Sequence, residues 1–200
     1  MLKQLIAAGA RYVSLTSDSE LILAPQFGPV FNTEQPLVWS AIPDSKGNVY
    51  LGTGHDGKIF KVDASGKGAV IADLKELDVT ALALDSRETL YAATSPDGRV
   101  YRIENGVAKE FYNPGTKYIW ALTFDKQGRL FVATGDKGVI YRVNADGKGE
   151  PFYDTDETHI MSMVVDKDGN LIAGGLLYGI QTTRIMRRMW TWQCYKRREE

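Results

Sequence analysis

An all-β fold made of tandem four-stranded units is what the sequence predicts, and three observations predict it. Aspartates recur at positions 44, 85, 125 and 166, spaced 41, 40 and 41 residues apart. Each follows a run that alternates apolar and small residues, and each precedes a turn and a second β-rich run. No segment of residues 1–175 carries an apolar period near 3.6, which removes helical repeats of similar length. A four-stranded unit of about 41 residues, repeated in tandem, is the blade of a β-propeller.

Taken along the chain, residues 1–19 read as a lead-in. Their apolar stretch, Leu5 to Ala10, is shorter than the roughly 7–15 residues of a secretion-signal core, and Arg11 follows at once. No cleaved signal is therefore expected, and the compartment is left as cytoplasmic, or periplasmic should the N-terminus be truncated. Glu20–Phe27 and Pro29–Thr33 read as the last two strands of an earlier blade, a half blade over residues 20–37, with Phe31 in the place of Tyr153. Three complete blades follow, over 38–76, 77–117 and 118–158. In the third, Ile119–Asp125, Leu130–Gly135, Val139–Val143 and Glu150–Tyr153 are the strands, separated by Gly and Asp turns. Asn105-Gly106 is a two-residue hairpin turn in the second. Glu88 stands where Gly47, Gly128 and Gly169 stand in the other copies, so that turn either bears a cost of about 1 kcal/mol or takes another shape.

The fourth copy conforms over 159–175 and then departs, giving a second half blade. Residues 176–200 hold 6 basic and 2 acidic residues, two of the four tryptophans and Cys194. As an atypical basic and aromatic tail they read either as a nucleic-acid or anionic-membrane binder or, given the break inside a repeat, as an altered frame or unpaired terminus. The two half blades either pair to close a four-bladed ring or leave an incomplete propeller with edge strands open to self-association, and the incomplete reading is favoured.

The copies Val38-Trp39-Ser40-Ala41, Gly47-Asn48-Val49-Tyr50-Leu51-Gly52-Thr53 and Gly57-Lys58-Ile59-Phe60-Lys61-Val62-Asp63 resemble the repeats of two-component-regulator sensor propellers and of bacterial WD40-like propellers. They are more distantly similar to the SMP-30/gluconolactonase group. The resemblance covers roughly residues 20–175 and implies a fold without implying an activity. The Trp-Asp pair of true WD40 repeats is missing after the third strand.

Composition narrows the function classes. Twenty-four basic and 25 acidic residues leave a net charge of -1, against strong nonspecific binding of nucleic acid. No apolar run reaches the roughly 18 residues of a spanning helix. A single cysteine excludes a disulfide framework and a cysteine-built zinc site. Gly52-Thr53-Gly54-His55-Asp56-Gly57 matches a dinucleotide fingerprint in letters, but a strand follows it where the chemistry needs a helix N-terminus. Asp166-Lys167-Asp168-Gly169-Asn170 and Asn144-Ala145-Asp146-Gly147 look like calcium loops, yet both lack the closing glutamate and read as capped turns.

Propellers bind at the mouth of the central channel, where innermost strands begin and the loops between second and third strands lie. By repeat alignment Trp39, Tyr118, Trp120 and His159 belong there, with His55, Asp56, Asp136 and Lys137 in the loops. Trp39 and Trp120 share one repeat position and either line an aromatic wall for a sugar or other flat ligand or wedge between blades. No catalytic residue, metal ligand or cofactor is assigned. The reading is a noncatalytic binding or sensing module for a small ligand or protein partner at the channel mouth or rim. The alternatives are a metal-dependent lactonase or hydrolase, implied by the gluconolactonase likeness, and a purely structural repeat fragment.

Overall fold

The computed structural model describes residues 13–15, 20–23, 28–155, 157–177 and 180–186, in two units, Met1–Asn32 and Thr33–Glu200. In the first unit β1 (Val13–Leu15) pairs antiparallel with β2 (Leu21–Leu23). Of the strand pair expected over Glu20–Phe27 and Pro29–Thr33, residues 24–27 lie outside the described residues; the partner of β2 precedes it, and residues 28–37 hold no strand. Pro29 and Pro36 offer no N–H to a ladder, and Val30 is 72% exposed.

In the second unit one motif recurs. Blade I comprises β3 (Val38–Pro43), β4 (Val49–Thr53), β5 (Lys58–Val62) and β6 (Gly68–Asp73). Blade II comprises β7 (Asp78–Leu84), β8 (Leu90–Ser95), β9 (Gly98–Glu104) and β10 (Val107–Thr116). Blade III comprises β11 (Ile119–Phe124), β12 (Leu130–Thr134), β13 (Val139–Val143) and β14 (Gly149–Asp154). Each is an antiparallel meander in chain order, and no helix occurs among the described residues. None, therefore, is long and apolar enough to cross a membrane. The protein is an all-β, incomplete β-propeller.

Blade IV holds β15 (His159–Val165), β16 (Leu171–Leu177) and β17 (Ile180–Met186). The repeat thus continues past Gly175 into the segment set apart by composition, with β17 paired along β16 from Leu171↔Met186 to Leu177↔Ile180. Ile180, Thr182, Thr183 and Ile185 supply β-branched strand formers that a charge count overlooks. The rest of the expected tail, residues 187–200, lies outside the described residues.

The recurring aspartates close the turn between first and second strands. The Asp44 carboxylate accepts the backbone N–H groups of Lys46 and Asn48, and Asp85, Asp125 and Asp166 accept the equivalent pairs. This local bonding is why Asp recurs where a calcium loop was an alternative. Glu88 adopts the same turn at φ 62°, beside 81°, 74° and 82° for Gly47, Gly128 and Gly169, so the strain is borne and the shape kept. Its carboxylate accepts the Ser45 N–H from the preceding blade at 2.7 Å, and hydrogen bonding from the Ser45 side chain, then from that N–H, holds it below the ordinary glutamate range.

The core lies between blades. One cluster joins Tyr50, Ile59 and Ala72 of blade I to Val79, Leu82 and Ala92 of blade II. A second joins Ala81, Ala83 and Tyr91 to Ile119, Leu122 and Val132, and a third joins Ala121, Phe131 and Ala133 to Ile160, Leu171 and Ala173. Alternate residues of each strand therefore serve opposite junctions, which is what a period of two provides. At or next to the end of the second strand of blades I to III stands a threonine: Thr53, Thr94 and Thr134 are fully buried, and their hydroxyls reach backbone carbonyls across the following hairpin.

Candidate functional site at the channel mouth

Every innermost strand slips register close to its start, between Val38 and Ser40, Val79 and Ala81, Ile119 and Ala121, and Ile160 and Ser162. The residues at the slip are Trp39, Thr80, Trp120 and Met161. A β-bulge re-aims the side chain it carries. For Trp39, Thr80 and Trp120 the side chain reaches the first residue of the next blade's inner strand.

At the I–II junction the Trp39 indole N–H donates to the Asp78 carboxylate at 3.1 Å, and the His55 backbone N–H donates to the same oxygen at 3.3 Å. At the III–IV junction the Trp120 indole N–H donates to His159 Nδ1 at 3.2 Å. Because the indole can only donate, Nδ1 is the acceptor and the neutral imidazole carries its proton on Nε2. Tyr118 stacks on Trp120, with centroids 5.4 Å apart and planes 9° apart, while His159 sets its edge to both rings. At the II–III junction the Thr80 hydroxyl donates to the Ile119 carbonyl.

The indoles need room. A Cβ on Gly54 would stand 2.7 Å from Trp39 Nε1 and 2.8 Å from Asp78 Oδ1. A Cβ on Gly135 would stand 2.7 Å from Trp120 Nε1 and 2.5 Å from His159 Nδ1. Where the bulge carries Thr80, the equivalent position is Ser95. The remaining glycines of the dinucleotide-like run have packing reasons too. A Cβ on Gly52 would meet Ser40 Oγ at 2.4 Å, and Gly57 lies at φ +58° against the Glu76 carbonyl.

The structure thus gathers Tyr118, Trp120 and His159 into one cluster and places Trp39 and His55 on Asp78. Trp39 is 50% exposed, whereas Tyr118, Trp120 and His159 are half-buried. His55, Asp56, Asp136 and Lys137 are exposed in the hairpin loops, with His55 at φ 77° and Asp136 at φ 68°. Asp56 accepts from Lys58 at 3.1 Å, and that bond holds its carboxyl below the usual range. Sequence reasoning missed Asp78 and Thr80. The signal for Asp78 was its repeat position, which Leu37, Tyr118 and His159 share. Among the described residues, no three His, Cys, Asp or Glu side chains gather closely enough to hold a metal ion.

A groove of about 700 Å³ lies elsewhere, lined by Glu76, Arg99, Tyr101 and Glu110 among others, and none of the eight expected mouth residues lines it. Its polar groups pair among themselves. The Tyr101 hydroxyl donates to Glu76 at 2.7 Å and Arg99 pairs with Glu110. Burial, then that bond to Glu76, pushes the Tyr101 hydroxyl far above its usual range.

No family model and no curated protein matches this sequence. Solved structures do match in fold. Virginiamycin B lyase of Staphylococcus aureus aligns at TM-score 0.63 and 16% identity, over 86% of this chain and 61% of that one. The extracellular domain of a one component system from B. thetaiotaomicron aligns at 0.61 and 19%, over 86% and 24%. Regucalcin, a calcium-binding protein of Agrobacterium tumefaciens, aligns at 0.60 and 18%, over 79% and 59%. The chain spans about three fifths of the lyase's length. These likenesses establish the propeller fold.

Proposed function

We propose that the chain is a noncatalytic binding module whose mouth takes a flat or sugar-like small ligand, with Trp39 as its platform. The observation that carries this reading is the half-exposed indole of Trp39, held at its edge by Asp78 so that its face stays available. An apolar ring face beside an anchored carboxylate suits a polyhydroxy ring, which offers C–H groups to the indole and hydroxyls to the acid. His55 and Asp56 border the same subsite from the loop. The Tyr118–Trp120–His159 cluster offers a second contact, with the His159 Nε2–H as its donor, and Asp136 and Lys137 flank it. Tryptophan fluorescence titrated with a panel of mono- and oligosaccharides tests the reading. A saturable change in the native protein, lost in Trp39→Ala, is expected. No change with any sugar, or an equal change in the variant, removes it.

The alternative is a metal-dependent hydrolase or lactonase, and its support is the fold shared with calcium-binding regucalcin. It requires that Ca²⁺ raise the melting temperature and that a chelator reverse the rise.

A further inference from the structure

The groove of about 700 Å³ lies at the I–II junction, between the connection from β6 to β7 and blade II. Glu76 and Leu77 stand on the connection, Arg99 and Tyr101 on β9, and Ala108 and Glu110 on β10, where Tyr101 and Glu110 pair in register. The Glu76 side chain is 9% exposed. Its Oε1 accepts the Tyr101 hydroxyl at 2.7 Å and lies 3.4 Å from Arg99 Nε, and the far end of that guanidinium is taken by Glu110. Those pairs leave one acceptor over. Glu76 Oε2 is buried and has no hydrogen-bond partner among the described residues. A buried carboxylate oxygen keeps its desolvation cost until a donor meets it.

The II–III junction shows that the fold does not need these charges. Counted along the repeat, Thr116 stands in the place of Glu76, Val139 in that of Arg99, Tyr141 in that of Tyr101 and Pro151 in that of Glu110. Tyr141 packs there against the Tyr112 ring, with centroids 5.9 Å apart. That junction is built with no charge at these positions. The I–II junction holds two acids and a guanidinium at them and leaves a carboxylate oxygen unused.

We propose that the groove is a second binding site and takes a small aliphatic amine, its ammonium on Glu76 Oε2 and its alkyl arm against Leu77, Pro96 and Ala108. The volume suits a small ligand. Asp73, Glu76, Asp97 and Glu110 line the groove against Lys75 and Arg99, an excess of acid that favours a cation. A guanidinium calls for both oxygens of a carboxylate, and Tyr101 and Arg99 already occupy one. An ammonium is a compact donor that a single oxygen serves. A metal ion lacks ligands, because among the described residues no three His, Cys, Asp or Glu side chains gather closely enough. Leu77, 55% exposed, offers with Pro96 and Ala108 the apolar wall that an alkyl arm covers.

Isothermal titration calorimetry of the full chain with n-butylammonium, beside uncharged n-butanol with the same arm, reads this directly. Saturable one-to-one binding of the amine is expected, with the alcohol weaker by at least tenfold. Glu76→Gln keeps the size of the side chain and removes its charge, so it should weaken the amine by at least tenfold and leave the alcohol unchanged. Circular dichroism matching the native protein shows that the variant folds. Leu77→Asn, at an exposed position away from the acid, should weaken both probes. Tighter binding of Nα-acetyl-lysine methylamide than of butylammonium keeps the site and assigns its natural ligand to a lysine side chain instead of a free amine. No saturable binding of either amine overturns the proposal. Equal binding of amine and alcohol overturns the role of Glu76, and native affinity for the amine in both Glu76→Gln and Leu77→Asn overturns the groove as its site.

Discussion

The I–II and III–IV junctions carry the same indole on the same bulge, but in one the ring is packed and in the other it is bare. Trp120 has Tyr118 stacked on it and His159 at its edge. Trp39 has Asp78 at its edge, and the residue in the place of Tyr118 is Leu37, itself 45% exposed. Identical backbone geometry therefore yields a rigid aromatic joint at one junction and an open platform at the other. The bulge fixes where the indole points. The residue two places before it decides whether a ring face is left for a ligand.

The largest expected effect separates the two indoles by stability. Trp120→Ala should cost about 3 kcal/mol, since it empties a packed site, and Trp39→Ala about 1 kcal/mol, since half of that ring is already in water. Urea unfolding measures both, and equal losses would break the comparison. Next come the glycines beneath the rings. Gly135→Ala should cost about 2 kcal/mol by crowding the locked pair Trp120 and His159. Gly54→Ala should cost less, because the exposed Trp39 has room to swing away, and Ser95→Ala should be near neutral. A reversed order for the two glycines would show that Trp39 is the more firmly held ring.

The smallest effect concerns the aspartate turns of the same blades, where the junctions' difference should vanish. Hydrogen bonds from Asn48 and Asn170 side chains hold the Asp44 and Asp166 carboxyls below their ordinary range. A lowered folded pKa contributes stability that is present above the unfolded carboxylate value, about 4, and is lost as pH falls through the folded values. Melting temperatures of Asp44→Ser and Asp166→Ser should therefore fall below the native value at pH 7 and converge on it in acid, equally for both. A loss confined to one variant would show that the difference between blades extends beyond the mouth.

Much of this was legible in the chain itself. The Asp44 to Asp166 ladder gave the period, the turns and the strand boundaries of blades I to III, because a carboxylate bonding to amides two and four residues on is a local event. Trp39, Tyr118, Trp120 and His159 were legible as one end of the blades from alignment alone. Asp78 was not, since an aspartate at a strand start looks like any turn residue until an indole 39 positions earlier is seen to donate to it. The strand β17 was hidden because it opens a segment set apart by its overall composition, and the absent strand over Pro29–Thr33 was suggested by a spacing that the fold does not honour.

The sequence by itself determined the repeat, the four-stranded blade and the glycines that make way for indoles, because these follow from period, propensity and steric size within about 41 residues. Only the tertiary structure decided which indole is bare and which acceptor holds it. Each of those depends on residues brought together from neighbouring blades, and neighbours so far apart in sequence leave no local trace.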